Sequence, residues 1–183
     1  MQIDLNPFTV KLDDTDFALF GLPLQHALDR DALDARWRQL QAEVHPDRFA
    51  SEGAVAQRVA MQWAVRVNEA YQRLKDPVRR AAYLCALRGV PVDAERNAAM
   101  PPAFLMQQMA WREALDDAAD LAGVERLGQD VATTERDLLA ALSTCLDTQN
   151  DTAAAAAQVR ALMFVQRFRQ DIERRLDVLD TTR

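Results

Sequence analysis

The stretch Glu43-Val44-His45-Pro46-Asp47-Arg48-Phe49 decides how this chain folds. Proline disfavours helical backbone at the residue before it, so Pro46 predicts the end of a helix near Val44 and His45. Upstream, Leu33, Trp37, Leu40 and Val44 recur at helical spacing and form one apolar stripe. Downstream, Val59, Trp63, Val67, Ala70 and Leu74 do the same. Two such stripes joined by a short loop pack face to face as an antiparallel helical hairpin. Arg48 to Gly53 makes the return, and Ser51 and Gly53 suit non-helical backbone. His45 and Asp47 then stand at the tip, a placement that suits recognition of a partner better than burial.

Composition bounds the rest. The chain has 183 residues, enough for one ordinary domain or two small ones. Hydrophobic residues make up 49%, which is compatible with a packed core and not with wholesale disorder. Five glycines, many alanines and regularly spaced leucines point to an all-α protein. The net charge of −6 argues against broad nucleic-acid binding, which wants a basic face. The two cysteines, Cys85 and Cys145, cannot make a four-thiolate zinc site. Cys145 shares an apolar stripe with Val131, Leu138 and Leu142, and Cys85 lies beside Leu84 and Leu87, so both read as inert buried thiols. Nothing resembles a signal peptide or a membrane span, and Asp4, Asp13, Asp14 and Asp16 give the wrong charge for a transit peptide. A cytoplasmic protein of bacterial type with no membrane contact is the expectation.

Residues 1–15 read as a flexible or loosely docked extension, and residues 16–88 as the first domain. Asp76-Pro77 supplies an N-cap followed by proline at the first helical position, which starts a fourth helix. Ala81, Leu84 and Leu87 are its expected inner residues, and Gly89 its end. Residues 89–102 carry Pro91, Pro101 and Pro102 and read as a linker. Residues 103–183 follow as a three-helix bundle, with helices from about 103 to 121, 124 to 147, and Ala153 to Leu179. Asn150-Asp151-Thr152 offers the caps for the last.

Two apolar features in the bundle point away from its core. After Pro102, Phe104, Trp111, Leu115, Ala118 and Ala122 fall on one side of a helix. Met106 and Met109 fall nearly opposite, in line with Glu113 and Asp117, and Leu105 lies between the two faces. Scattered surface apolarity is common. Contiguous methionines, however, suit an adaptable binding surface. On the last helix, Leu162, Val165, Ile172, Leu176 and Leu179 form the inner stripe, while Phe164 falls with Arg160, Arg167 and Asp171. It is either an incidental ring or an anchor that joins the Met106–Met109 patch.

The His45-Pro46-Asp47 loop, with Phe17 to Pro23 before it and Asn68 to Pro77 after it, resembles a J-domain. With Ala103 to Met109 and a helical C-terminal half, nearly the whole chain resembles the HscB-type J-domain co-chaperones of iron–sulfur cluster assembly. The resemblance implies an N-terminal J-domain joined to a C-terminal bundle. It implies a non-enzymatic co-chaperone that brings the cluster scaffold IscU to the DnaK-type chaperone HscA and stimulates its ATP hydrolysis. It carries His45, Pro46 and Asp47 over as the chaperone-binding loop, with Arg36, Arg38 and Arg48 as accompanying basic contacts. Asp29, Asp31, Asp34 and Glu43 dilute the basic field of that helix. Leu105, Met106, Met109, Glu113, Asp117 and Phe164 match the scaffold-binding surface in character. The chain departs from the family pattern at Ala110, where an acid can stand, and at Asp117, where a longer acid is typical.

A J-domain adaptor for a different client is the alternative. A hydrolase or metalloenzyme reading of His45 and Asp47 lacks support: the second histidine is His26, and there is no HExxH and no GxxxxGK[ST] motif. No cofactor or metal is expected.

Overall fold

The computed structural model describes residues 11–92 and 100–181. Seven α-helices follow one another among these residues, with no strand. They are α1 (Asp16–Phe20), α2 (Arg30–Glu43), α3 (Ala54–Lys75), α4 (Pro77–Leu87), α5 (Pro102–Asp117), α6 (Leu121–Ser143) and α7 (Thr152–Thr181). A 3-10 turn, Pro46–Glu52, joins α2 to α3, and a π turn, Thr144–Thr148, extends α6. The chain divides into two compact units between Arg80 and Ala81, within α4.

In the first unit the α2 stripe meets the α3 stripe as its spacing predicts. Leu33, Leu40 and Val44 are fully buried, as are Val67, Ala70 and Leu74, and Trp63 is nearly so. Trp37 is the exception. It is half-buried at the edge of the seam, stacked on Tyr71 at 4.7 Å, and its indole N–H donates to Asn68 Oδ1 at 3.0 Å. Val59 is likewise only half-buried. Asp29 caps α2 by accepting from the amides of Asp31 and Ala32. Thr15 caps α1 by accepting from the Ala18 amide, and α1 ends on Gly21 at φ 65°, left-handed backbone that glycine adopts without strain.

Asp16 is fully buried, and its carboxylate meets Arg66 and Arg73, each at 2.7 Å. Burying a carboxylate is costly unless it is paired, and two guanidiniums from α3 supply that pairing. Arg66 also donates to the carbonyls of Leu12 (3.0 Å) and Asp14 (2.7 Å). Residues 11–15 of the expected loose extension are therefore tied down, whereas residues 1–10 lie outside the described residues.

Asp76 caps α4 as expected, accepting from the amides of Val78 (2.8 Å) and Arg79 (2.9 Å). Val78, Ala81, Leu84 and Cys85 are its buried side, and Leu87 is exposed instead of packed. The helix ends at Gly89, φ 82°, with the Val90 amide reaching back to the Cys85 carbonyl. The second half of α4 belongs to the second unit: the Cys85 thiol points at the Thr152 carbonyl, and Arg88 donates to the Leu146 carbonyl at 3.0 Å. Of the expected linker, residues 93–99 lie outside the described residues.

The second unit contains the expected helical triplet α5, α6 and α7. Trp111, Val124, Leu127, Val131, Val165, Phe168 and Ile172 make its buried cluster. The helix after Pro102 stops at Asp117, so Ala118 follows it and Ala122 belongs to α6, where it is exposed. Asp120 caps α6 through the Gly123 amide, and Asp151 caps α7 through the Ala154 amide. Both cysteines are free and buried; burial pushes the Cys85 thiol above its ordinary value, although Arg88 and Arg160 pull the other way.

Trp63→Ala should lower the stability of the first unit by roughly 3–5 kcal/mol. Trp37→Ala removes a half-exposed stacked ring and should cost only about 1–2 kcal/mol. Chemical denaturation of the two variants side by side measures the difference.

Candidate functional site

The loop that interrupts α2 and α3 begins with His45 in extended backbone (φ −61°, ψ 127°), as a residue before proline should be. Pro46 is the first residue of the 3-10 turn. The His45 Nδ1 accepts from the Asp47 amide at 3.3 Å and lies 3.6 Å from the Asp47 carboxylate. An Nδ1 that accepts leaves Nε2 as the nitrogen that carries the hydrogen. The Asp47 side chain is 91% exposed and that of His45 57% exposed. Their polar atoms therefore cost nothing to leave in water and stay available for charge-assisted hydrogen bonds to a partner.

The three arginines around the loop differ. Arg38 is exposed and Arg36 half-buried on α2. Arg48 folds back, and its guanidinium donates to the Ala42 carbonyl at 3.1 Å. The basic field is diluted further by Asp34. Partial desolvation raises that carboxyl, but bonds from Tyr71 and Arg30 and the charges of Arg30 and Arg38 outweigh it and hold the group below its usual value. Arg30 pairs with Asp34 at 2.8 Å, so α2 presents alternating charges and not a uniformly basic strip.

In the second unit, Met106 and Met109 are 72% and 73% exposed and Leu105 is 46% exposed. Glu113 and Asp117 are exposed on the same face of α5, as is Ala110. An apolar patch with an acidic rim is thus present on α5 alone. Phe164 is different. It is half-buried, stacked on Phe168 at 6.0 Å and edge-on to Phe104 at 6.0 Å, with the Arg112 guanidinium over its ring at 5.8 Å. Trp111 stacks on Phe168 in turn, at 5.7 Å. Phe164 therefore belongs to a four-ring cluster and is not a lone ring among charges.

Sequence reasoning missed Phe168. The signal was available: it stands three residues after Val165 and four before Ile172, on the same inner stripe. It also missed His26, which is buried with its Nε2 at 3.0 Å from the Pro77 carbonyl, far in sequence and invisible to periodicity. Among the described residues, no group of three or more His, Cys, Asp or Glu side chains is placed to hold a metal ion. No helix there is long and apolar enough to cross a membrane.

Known proteins carry the same organisation. A curated protein of Burkholderia multivorans, described as a co-chaperone protein HscB homolog, is 50% identical over 94% of this chain and 99% of its own length. The chain belongs to the HscB co-chaperone family. A further homolog, from Cupriavidus taiwanensis, is 50% identical over 93% of the chain and 98% of its own length. Residues 100–173 match the family described as the HSCB C-terminal oligomerisation domain. Among solved structures, chaperone HscB from Vibrio cholerae is 39% identical with a TM-score of 0.80, covering 91% of this chain and 99% of the other. An N-terminal J-domain hairpin joined to a helical bundle is thus the HscB fold.

Phe164→Ala should destabilise the second unit by roughly 2 kcal/mol, about half the cost of truncating a fully buried ring. Met106→Ala and Met109→Ala should each stay within about 0.5 kcal/mol of the parent, as exposed substitutions do. Thermal unfolding of the three variants separates the packed ring from the open patch.

Proposed function

We propose that this HscB-family co-chaperone delivers the iron–sulfur scaffold IscU to the chaperone HscA and stimulates HscA's ATP hydrolysis, supporting cluster maturation and transfer. The protein itself has no catalytic role in this reading. The observation that carries it is the display of His45 and Asp47: a histidine whose ring accepts from the Asp47 amide, with the Asp47 carboxylate beside it, both open to solvent at the end of a helical hairpin. Asp47 is the acceptor for a cationic group of the chaperone, His45 a donor through Nε2, and Pro46 the restraint that fixes both. Arg36 and Arg38 contribute long-range attraction weakened by their acidic neighbours.

The second half of the proposal is that Leu105, Met106 and Met109 anchor the scaffold, with Glu113 and Asp117 as an acidic rim and Phe164 as a backing ring. Support comes from their exposure on one helix face, which leaves apolar side chains unused by the core. Small transient interfaces concentrate binding energy in such anchors.

The test is the steady-state ATPase rate of HscA with this protein and IscU, added separately and together. Asp47→Asn should abolish stimulation while leaving the unfolding transition unchanged. Full stimulation by the folded variant would refute the loop assignment. Replacing Leu105, Met106 and Met109 together by alanine should weaken IscU binding by more than about tenfold, since each anchor contributes on the order of 1–2 kcal/mol. The same variant should still stimulate HscA in the absence of scaffold. Parent-like calorimetric affinity for IscU would remove the patch from the proposal.

A further inference from the structure

Helix α2 ends at Glu43, so its last carbonyls lack the amides that would continue the ladder. The Leu40 carbonyl is satisfied by the Val44 amide at 3.0 Å. Ala42 meets a harder problem. Its carbonyl would accept from the amide four residues on, which is position 46, and proline has no N–H. The residue that makes the loop sharp therefore deprives α2 of a donor.

Arg48 replaces that donor. Its guanidinium Nη1 reaches back across the proline to the Ala42 carbonyl at 3.1 Å. Its own amide donates to the His45 carbonyl at 3.0 Å. The Asp47 amide donates to the His45 Nδ1. Of these three bonds that close the turn around His45-Pro46-Asp47, two are donated by Arg48. One of the two spans the whole tripeptide, from the residue after it to the helix before it. A cation at a helix C-terminus is also favoured by the helix dipole.

We propose that Arg48 is the positioning residue of the His45-Pro46-Asp47 loop, holding it against the end of α2 through the Ala42 carbonyl, instead of serving chiefly as a contact to the chaperone. The importance of this for chaperone stimulation rests on the loop assignment proposed above. The holding of the loop does not, and it is measurable in the free protein. A loop that is already ordered does not lose that freedom on binding, so loosening it weakens association without changing what the bound complex does.

The experiment uses Arg48→Met in the full chain, which keeps the aliphatic stem and removes the donors and the charge. Backbone 15N order parameters of His45, Asp47 and Arg48 are measured in the free protein. HscA stimulation is then titrated at low and at high salt. The expected result is lower order parameters at these three residues. The half-stimulating concentration should rise roughly threefold to tenfold, the worth of one ordinary hydrogen bond, with the maximal stimulation unchanged. The rise should persist at high salt. Unchanged order parameters would overturn the proposal. So would a rise that disappears at high salt, which is the behaviour of an exposed charge in direct contact with a partner. Asp47→Asn serves as the control: if it leaves stimulation intact, the loop assignment fails, and the order parameters still decide the role of Arg48.

Discussion

Pro46 withholds a backbone amide at the one place where α2 would otherwise run on. Proline at that place has three consequences. His45 is forced into extended backbone, so the chain turns away from the helix axis. The reversal brings the stripe of α3 back against the stripe of α2, and Leu33, Leu40, Val44, Val67, Ala70 and Leu74 lose contact with water together. The tip is left with polar groups that the helical ladder cannot use, and His45 and Asp47 are presented outward. The fold of the first unit and its display of a recognition loop thus have a common cause, which is the chemistry of a single imino acid.

The second unit is organised by a different constraint. Phe104, Trp111, Phe164 and Phe168 bring four rings from α5 and α7 into one cluster, with offset and edge-on geometries that avoid face-to-face repulsion of their quadrupoles. With those rings supplying the packing on the inner side of α5, its outer side is not needed for the core. Met106 and Met109 stay exposed because nothing within the unit has a place for them. A surface of this kind is stable in the free protein only as an isolated patch with charged neighbours, and Glu113 and Asp117 supply these.

Much of this was legible in the sequence because it depends on short-range rules. The end of α2, the Asp76 cap, the Gly89 terminus and the phase of Met106 and Met109 each follow from a residue and its neighbours within one or two helical turns. What was not legible depends on long-range partners. Trp37 lies on the correct stripe, but its indole N–H needs an acceptor, and Asn68 at the rim of the seam draws the ring to the edge. Phe164 sits among charges in sequence, yet α5 brings Phe104 and Arg112 to it and turns a lone ring into part of a cluster. Leu87 keeps the period of α4 and is nevertheless exposed, because the last turn of a short helix has little left to pack against. Residues 11–15 look unstructured by pattern, and the carbonyl contacts of Arg66, which no periodicity shows, help to tie them down.

Arg66 also explains how one side chain can join two tasks. Its guanidinium divides five donors between the buried Asp16 carboxylate and two backbone carbonyls, which lysine, with its compact ammonium, would do less well. Arg48 follows the same logic on a smaller scale, with a planar head spanning a break in backbone hydrogen bonding. In both cases arginine supplies donors where the chain has left helix and the carbonyls remain. Guanidiniums thus help to close two irregular segments of the first unit, before α1 and after α2, through backbone carbonyls. Such closures leave the surface polar, and at the loop that polarity is what allows His45 and Asp47 to be ordered and still accessible.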